Sequence, residues 1–313
     1  MRMLAWLMLR AVLLSLAAVV VLALPASASA AATPPTAFPV QTVSVNGATL
    51  AYRVINPDAT GRPLVLICGY GFTMAEWDPA FVERLAEGRK VILFDNRGIG
   101  QSSGPVKGLT IKTMATDTAR LIRALKLRRP DVLGWSMGGY IAQELALDSP
   151  RLVHRLILAS TDPGSPHARQ PGPSVVATLT NPNLTPQSLL PILFPSDQEA
   201  AGGAYLQAVS SQPNLTAADF STPPETMKEQ QLANAQRWYG RGHGTYARLA
   251  KLRAHTLIGY GTRDVVVPPG NAKLLAKRIK HRTLMRVPDA GHAFLFQDPA
   301  AKAAAFARFL DRT

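Results

Sequence analysis

The sequence predicts an α/β fold, in which a mainly parallel sheet carries helices on both faces and a helical cap is inserted between two strands. Three observations support this fold class. Short apolar runs alternate with helical stretches from residue 64 onward, as a parallel sheet covered by helices requires. An Asn-Gly pair marks a hairpin near the start, and the segment 163–248 interrupts the alternation without any strand pattern.

Residues 1–30 have the features of an export signal. Arg2 and Arg10 precede or flank an apolar stretch at 11–24, and small residues of the A-x-A type follow it. We therefore expect a signal peptide at 1–30 and a mature protein that is secreted or held in the periplasm or cell envelope. The alternative is an uncleaved anchor, which is the only way in which we expect this chain to contact a membrane. A linker rich in Pro and Ala is predicted at 31–39.

Composition indicates a globular protein with one large core, because 47% of the residues are hydrophobic and 17% are charged. The formal charge is +14, and loss of the two leader arginines leaves +12. The basic residues are scattered at spacings typical of solvated helix faces, and neither a nucleic-acid module nor a zinc-ligand spacing occurs. We therefore expect no nucleic acid and no metal as partners. Cys68 is the sole cysteine, so an intramolecular disulfide is excluded.

The elements follow from the patterns in chain order. The hairpin pairs strands at 40–45 and 49–54 around Asn46 and Gly47. The remaining strands are predicted at 64–68, 90–95, 130–134, 155–160, 255–260 and 283–287, with helices at 77–86, 111–125, 137–148, 271–279 and 299–310. The core then has two parts, 40–162 and 249–313. The segment 163–248 is predicted to be a cap or lid, since apolar clusters around Leu189 and Trp238 favour packing over the alternative, a disordered insertion.

Ser136 is the candidate nucleophile. It lies in Gly134-Trp135-Ser136-Met137-Gly138, between an apolar strand and a helical run, which is the context of a G-x-S-x-G nucleophile elbow. Such a turn is tight, so glycines are needed on both sides of the serine. The backbone N–H of Met137, at the start of the helix, can point at a developing oxyanion.

A serine needs a base, and His292 is the best placed of the six histidines. It follows the last predicted strand, where a loop returns to the sheet edge that carries Ser136. Asp264 follows the preceding strand and is the candidate acid that orients the imidazole. Asp162, which ends an earlier strand, is the competing candidate, but Asp264 gives the chain order Ser, Asp, His of a known arrangement.

A second oxyanion donor is predicted in the loop after the first parallel strand. The glycines of Cys68-Gly69-Tyr70-Gly71 allow the backbone N–H of Tyr70 to turn toward Ser136. Cys68 is an alternative nucleophile by its chemistry, yet a small buried residue is the more common role at a strand end. The segment 95–102 lacks the lysine and the spacing of a phosphate-binding loop, so we interpret it as a structural turn.

With these motifs in place, the chain resembles the α/β-hydrolase superfamily from about residue 43 to 310, and within it the bacterial cofactor-free haloperoxidase-like esterases. The motifs that carry the resemblance are Gly69-Tyr70-Gly71 with Trp77, Asp95-x-Arg97-Gly98-x-Gly100-x-Ser102, Gly134-x-Ser136-x-Gly138-Gly139, Gly261-x-x-Asp264 and Gly291-His292. Cys68 departs from the pattern, because many members have a histidine before the first glycine. This change affects the geometry of the oxyanion loop more than the relay.

The resemblance implies acyl-enzyme chemistry on a small or medium carboxylic ester without a cofactor. Because this fold hosts many activities, a perhydrolase or an aminopeptidase with the same three residues remains an alternative, as does a binding protein without catalysis. The acidic residues of the cap are dispersed in the sequence, whereas an aminopeptidase requires a cluster of them to hold an ammonium group.

Overall fold

A computed structural model describes residues 33–164, 167–181, 184–240 and 243–312. The predicted signal peptide and the first two residues of the predicted linker lie outside the described residues. Within the described part of the chain, no helix combines the length and the apolar character needed to cross a bilayer. The rest of the predicted linker contacts the sheet, because the guanidinium of Arg53 donates to the carbonyl oxygens of Thr36 and Phe38 at 3.1 and 2.6 Å.

Eight strands form one sheet in the order β1-β2-β4-β3-β5-β6-β7-β8. β1 and β2 form the predicted antiparallel hairpin, in which Asn46 and Gly47 both have positive φ, and β2 also runs antiparallel to β4. All the other pairs are parallel. The strands are β1 Gln41–Val45, β2 Ala48–Ile55, β3 Gly61–Ile67, β4 Arg89–Phe94, β5 Asp131–Trp135, β6 Arg155–Ala159, β7 His255–Gly261 and β8 Arg282–Val287.

The α-helices of the described residues cover both faces of this sheet or lie between β6 and β7. Their bounds are α1 Pro79–Ala86, α2 Ile111–Ala124, α3 Met137–Asp148, α4 Pro173–Leu179, α5 Pro186–Leu193, α6 Glu199–Ser210, α7 Pro224–Gln231, α8 Gly270–Arg278 and α9 Pro299–Leu310. A π-helix at Leu232–Trp238 continues α7.

The buried strands show why the sequence has continuous apolar runs. In β3, Leu64 and Leu66 face the layer that contains α1 and α9, whereas Val65 and Ile67 face the layer that contains α2 and α3. A strand covered on both faces must be apolar at every position, so period-two alternation disappears. The helices lie on both faces, as predicted.

The predicted helix at 77–86 starts too early. α1 begins at Pro79, and Asp78 is its N-cap, with a side chain that accepts a hydrogen bond from the N–H of Phe81 at 3.1 Å. Proline at the first helical position and aspartate before it are the usual signals for such a start. Trp77 therefore precedes the helix as a buried side chain of the core.

Between β6 and β7, the residues that the structure describes form the α-helices α4 to α7 and the π-helix. This segment is attached to the sheet by a buried ion pair between Arg53 of β2 and Asp219, whose nitrogen and oxygen lie 2.9 Å apart. The side chains of these two residues are 4% and 1% exposed, so the pair is buried. Breaking such a pair costs about 3–5 kcal/mol, because one charge is left buried without a partner.

Candidate active site

Ser136 lies at the sharp turn from β5 into α3. Its backbone has φ 57° and ψ −124°, a strained conformation for a residue with a side chain. The turn requires glycine at positions 134 and 138, because the backbone around them is packed too closely for a side chain. A Cβ on Gly134 would lie 2.2 Å from the carbonyl oxygen of Gly138, and one on Gly138 would lie 2.1 Å from that of Ile67. The close fit holds the hydroxyl of Ser136 above the ends of the strands.

Ser136, His292 and Asp264 form one hydrogen-bonded chain. The Oγ of Ser136 lies 2.9 Å from Nε2 of His292, and Nδ1 of His292 lies 2.9 and 3.1 Å from the two carboxylate oxygens of Asp264. His292 and Asp264 are each 3% exposed. The structure thus brings the three residues together in the arrangement that a general-base relay needs.

Backbone groups fix the orientation of Asp264. The N–H groups of Val266 and Val267 donate to its Oδ1 at 2.9 and 2.7 Å. Because Oδ1 is occupied by two donors, Oδ2 is the oxygen left mainly for the imidazole. A carboxylate in this position favours the tautomer of His292 that carries its proton on Nδ1 and leaves Nε2 free to accept the proton of Ser136.

Two side chains hold the backbone of His292 in place. Its carbonyl oxygen accepts hydrogen bonds from Nε1 of Trp135 at 3.2 Å and from Oγ of Ser160 at 2.8 Å. Ser160 follows β6 and has a positive φ of 45°. The ring of Trp135 also lies against the imidazole, with ring centres 5.6 Å apart. His292 is therefore positioned from β5 and from the end of β6.

The loop of His292 also contacts α5. The N–H of Ala293 donates to the carbonyl oxygen of Leu193 at 3.0 Å. A Cβ on Gly291 would lie 2.5 Å from the same oxygen, so only glycine fits between the loop and the end of the helix. The loop that carries the base and the helical segment between β6 and β7 thus share a close contact.

The predicted oxyanion donors lie at the start of α3 and in the loop after β3. Among the described residues, neither the N–H of Met137 nor that of Tyr70 is paired with a protein acceptor. A Cβ on Gly69 would lie 3.2 Å from the Cβ of Ser136, which places the loop directly beside the nucleophile. The loop is held from α7, because the N–H of Gly71 donates to Oε1 of Gln230 at 3.1 Å.

Two carboxyl groups support the other end of this loop, the half-buried Glu76 and the buried Asp95. Oε2 of Glu76 accepts from the N–H and the hydroxyl of Thr73 at 2.7 and 3.1 Å, and Oδ1 of Asp95 accepts from the N–H of Met74 at 2.7 Å. Burial raises the pKa of each of the two carboxyl groups to about 7, against the opposing effect of these hydrogen bonds. The thiol of Cys68 donates to the carbonyl oxygen of Thr73 at 3.3 Å, and burial raises the pKa of this thiol.

Asp162, the competing acid of the sequence prediction, does not contact His292. Its Oδ2 accepts from the phenols of Tyr140 and Tyr239, each at 2.6 Å, and its Oδ1 accepts from Nε1 of Trp238 at 3.1 Å and from the N–H of Gly164 at 2.7 Å. Burial raises the pKa of Asp162, and these four hydrogen bonds oppose the rise. The structure therefore joins Asp264, and not Asp162, to the imidazole.

Ser136 and His292 open into a cavity of about 160 Å³. The described residues that line it include no Asp, Glu, Lys or Arg. Its lining combines apolar side chains, such as Phe72, Leu189 and Val267, with polar uncharged ones. The polar ones are Tyr70, Tyr140, Gln170, Thr180, Gln231, Asn234 and Tyr239, beside Ser136 and His292. Such a lining suits an uncharged ligand that has both apolar and hydrogen-bonding groups.

Comparisons with known proteins agree with this geometry. Residues 62–299 match the family model described as the alpha/beta hydrolase fold. The chain belongs to the α/β-hydrolase family. This result confirms the predicted fold class and the resemblance. It also identifies the protein as a member of a hydrolase family.

Three similar proteins illustrate the range of this family. A protein of Mycobacterium tuberculosis named as a non-heme bromoperoxidase is 30% identical over 270 residues, which cover 83% of this chain and 97% of that protein. A protein of Variovorax paradoxus named as a carbamate hydrolase is 28% identical over 84% of this chain and 96% of its own. The solved structure of a thermophilic esterase from Thermogutta terrifontis is 25% identical, with a TM-score of 0.66 over 87% of this chain and 96% of that chain.

Several residues around the site of this α/β-hydrolase were not found from the sequence. Ser160 and Trp135 hold the base, and Tyr140 and Tyr239 line the cavity in front of Asp162. The position of Trp135 inside the G-x-S-x-G motif was visible, but its hydrogen bond depends on a loop 157 residues away along the chain. No local pattern indicates a contact of this kind.

Proposed function

We propose that this protein is an exported serine hydrolase that cleaves a small or medium carboxylic ester through an acyl-enzyme on Ser136. The observation that carries the proposal is the hydrogen-bonded chain from Ser136 through His292 to Asp264, placed at a cavity whose described lining has no charged carboxylate or cation. The relay activates the serine, and the cavity admits a neutral acyl compound.

The distances between Ser136, His292 and Asp264 define the steps of the proposed ester hydrolysis. As Oγ of Ser136 attacks the ester carbonyl, Nε2 of His292 takes the hydroxyl proton, and Asp264 stabilises the imidazolium that forms. The N–H groups of Met137 and Tyr70 receive the oxyanion of the tetrahedral intermediate. His292 then gives its proton to the departing alkoxide. Water, deprotonated by His292, attacks the acyl carbon and releases the carboxylic acid and the free serine.

The lining of the cavity favours an ester over a peptide with a free amino terminus. An aminopeptidase must compensate the ammonium group of its substrate with a carboxylate that reaches it. Among the described lining residues there is no Asp or Glu. Asp162, which contacts the lining residues Tyr140 and Tyr239, already accepts four hydrogen bonds.

A perhydrolase is the second candidate, and the similarity to a protein named as a non-heme bromoperoxidase favours it. In this case hydrogen peroxide in place of water attacks the acyl-enzyme, which releases a peracid and the free serine. The peracid then oxidises bromide in solution. Adding peroxide and bromide to the ester assay tests this candidate, because bromination of a dye requires both the ester and peroxide.

Labelling with a fluorescent fluorophosphonate tests the activated serine directly. We expect the wild type to be labelled, and Ser136→Ala and His292→Ala to lose the label. Ser174→Ala is the matched control, because Ser174 is an exposed serine of α4 outside the cavity lining. A folded wild type that stays unlabelled, or a label that survives Ser136→Ala, would overturn the proposal.

Export is proposed from residues 1–30 of the sequence, which have the pattern of a cleaved signal. The test is to produce the full chain in a bacterial host and to sequence the amino terminus of the protein recovered outside the cytoplasm. We expect a start near residue 29 or 31. A cytoplasmic protein with an intact amino terminus would contradict the proposal, and a membrane-bound one would indicate the anchor.

A further inference from the structure

The cluster around Asp162 has no part in the proposed relay, yet it borders the same cavity. Asp162 is fully buried, and it accepts hydrogen bonds from two phenols, one indole and one backbone N–H. Tyr140 comes from α3, Tyr239 follows the π-helix, and both line the cavity that contains Ser136. π-Helical segments occur often at functional sites. A buried carboxylate arranged in this way needs an explanation.

The protons of the two phenols can be counted. Each phenol has one proton, and each donates it to Oδ2 of Asp162 over a short distance of 2.6 Å. The phenol oxygens lie 3.0 Å from each other. Burial and the neighbouring Asp162 raise the pKa values of Tyr140 and Tyr239 well above their usual range, so both groups keep their protons. Neither phenol therefore has a proton left for a ligand, whereas both keep lone pairs.

Two further donors on Asp162 fix the direction of the hydrogen bonds from the phenols. Nε1 of Trp238 and the N–H of Gly164 both donate to Oδ1 of Asp162, at 3.1 and 2.7 Å. Oδ2 is thus the oxygen available to the phenols. Four donors on one carboxyl group favour its ionised form, because a proton on either oxygen would displace one of them. The wall that Tyr140 and Tyr239 give to the cavity consequently accepts hydrogen bonds and does not donate them.

We propose that Tyr140 and Tyr239 form a subsite that accepts a hydrogen bond from a hydroxyl group on the ester substrate. The inference rests on the proposed function, since it concerns the substrate of the same serine. A hydroxyl group fits better than an ammonium group, because the charge of Asp162 is already compensated by its four donors and the described cavity lining has no carboxylate. The rest of the substrate lies against the apolar side chains of the lining. The preferred substrates are thus hydroxylated esters.

The first test compares matched esters on the purified mature protein. On the acyl side, p-nitrophenyl butyrate is compared with the 2-hydroxy- and 3-hydroxybutyrate esters and with their methyl ethers, which can only accept. On the alcohol side, 2-hydroxyethyl butyrate is compared with 2-methoxyethyl butyrate. We expect kcat/KM for one hydroxylated ester to exceed that of its ether by about tenfold, the value of one hydrogen bond. Equal rates for every pair, or a preference for the ammonium-bearing ester of β-alanine, would overturn the proposal.

Variants connect this preference to the subsite. Tyr239→Phe and Tyr140→Phe are each expected to reduce the hydroxyl-to-ether ratio toward one. Tyr52→Phe is the matched control: its phenol also donates to a side chain, Oε1 of Gln41, but it lies in the hairpin and outside the cavity lining. An unchanged ratio in Tyr239→Phe, which is only half-buried in the wild type, would contradict the proposal even where Tyr140→Phe destabilises the fold.

Asp162→Asn gives the sharpest test. Trp238 and Gly164 both donate to the position of Oδ1, so the amide oxygen must take that position and the NH₂ group must face the phenols. The phenols then accept from the amide and turn their own protons away. We expect kcat/KM for the ether to rise relative to that for the hydroxylated ester, so that the hydroxyl-to-ether ratio falls to one or below. A ratio that stays at the wild-type value in a folded Asp162→Asn would contradict the subsite.

Failure of this inference is distinguishable from failure of the proposed function. Fluorophosphonate labelling and the hydrolysis of p-nitrophenyl butyrate report on Ser136 alone. If the wild type is labelled and hydrolyses butyrate but shows no preference for hydroxylated esters, the serine hydrolase remains and the subsite is refuted. If no label appears, the proposed function itself has failed.

Discussion

Oγ of Ser160 lies 2.8 Å from the carbonyl oxygen of His292, so a residue at the end of β6 holds the backbone of the base. Ser160 is buried and is absent from the lining of the cavity. It is therefore a positioning residue, which acts on the reaction only through His292.

Ser160→Ala should lower kcat about three- to tenfold and leave KM unchanged, because the imidazole loses one of two anchors while the cavity keeps its shape. Thr256→Val is the matched control. It removes another buried hydroxyl that donates to a carbonyl oxygen, that of Ala254, near the start of β7 and outside the cavity lining. Steady-state kinetics on p-nitrophenyl butyrate measure both constants. A fall in kcat of the same size in Thr256→Val would show a merely structural effect.

Asp264→Asn should lower kcat by about 10³- to 10⁴-fold with little loss of stability. The N–H groups of Val266 and Val267 require an oxygen at the position of Oδ1, so the NH₂ group of asparagine must face Nδ1 of His292. The imidazole then carries its proton on Nε2 and cannot accept one from Ser136. Asp78→Asn serves as the control, because asparagine also caps a helix. Retention of more than a tenth of kcat in Asp264→Asn would argue against the relay.

Stability should fall as the pH rises from about 5 to 8, in part because of Glu76. The pKa of this carboxyl group is about 7 in the folded protein and near 4.5 when unfolded, so the folded state binds the proton more tightly. The contribution of Glu76 to the free energy of unfolding is complete below the unfolded pKa and is lost as the pH rises through 7. Glu76→Gln keeps an oxygen for Thr73 and removes the titration. Thermal denaturation at several pH values should show a flatter profile for Glu76→Gln, and an identical profile would refute this assignment.

Gly138→Ala should destabilise the fold severely, because its Cβ would lie 2.1 Å from the carbonyl oxygen of Ile67. We expect the Tm to fall by at least about 5 °C and fluorophosphonate labelling to be lost. Gly203→Ala in α6 is the opposite case, since a Cβ there meets nothing within 4 Å. It should raise the Tm by a few degrees, as alanine is favoured over glycine inside a helix. Similar effects of both changes would show that the elbow is not closely packed.

Much of this fold was predictable because its signals are local. The helices α3 and α9 begin and end at the predicted residues, since strand-to-helix turns and proline starts mark them. β3 begins three residues earlier than predicted, at Gly61, because its first pairing with Arg89 crosses a register shift that no apolar pattern reveals. The helices of the inserted segment were expected only as a group.

The candidate site divides in the same way. The proximity of Ser136, Asp264 and His292 was predictable because each follows a strand of one parallel sheet, and the carboxyl ends of such strands meet at one edge. The contacts of Ser160 and Tyr239 were not found, because each depends on the packing of distant segments. Tyr239 and Asp162, for example, are 77 residues apart. Sequence periodicity describes the face of an element, but it does not describe the partner that meets this face.

The hydrogen bond from Ala293 to the carbonyl oxygen of Leu193 couples the end of α5 to the loop of His292. Lifting the end of α5 would withdraw the carbonyl oxygen from the loop of His292, and the imidazole would lose its alignment with Ser136. The packing of α5 therefore bears on the alignment of His292 with Ser136, although the helix supplies no residue to the hydrogen-bonded chain.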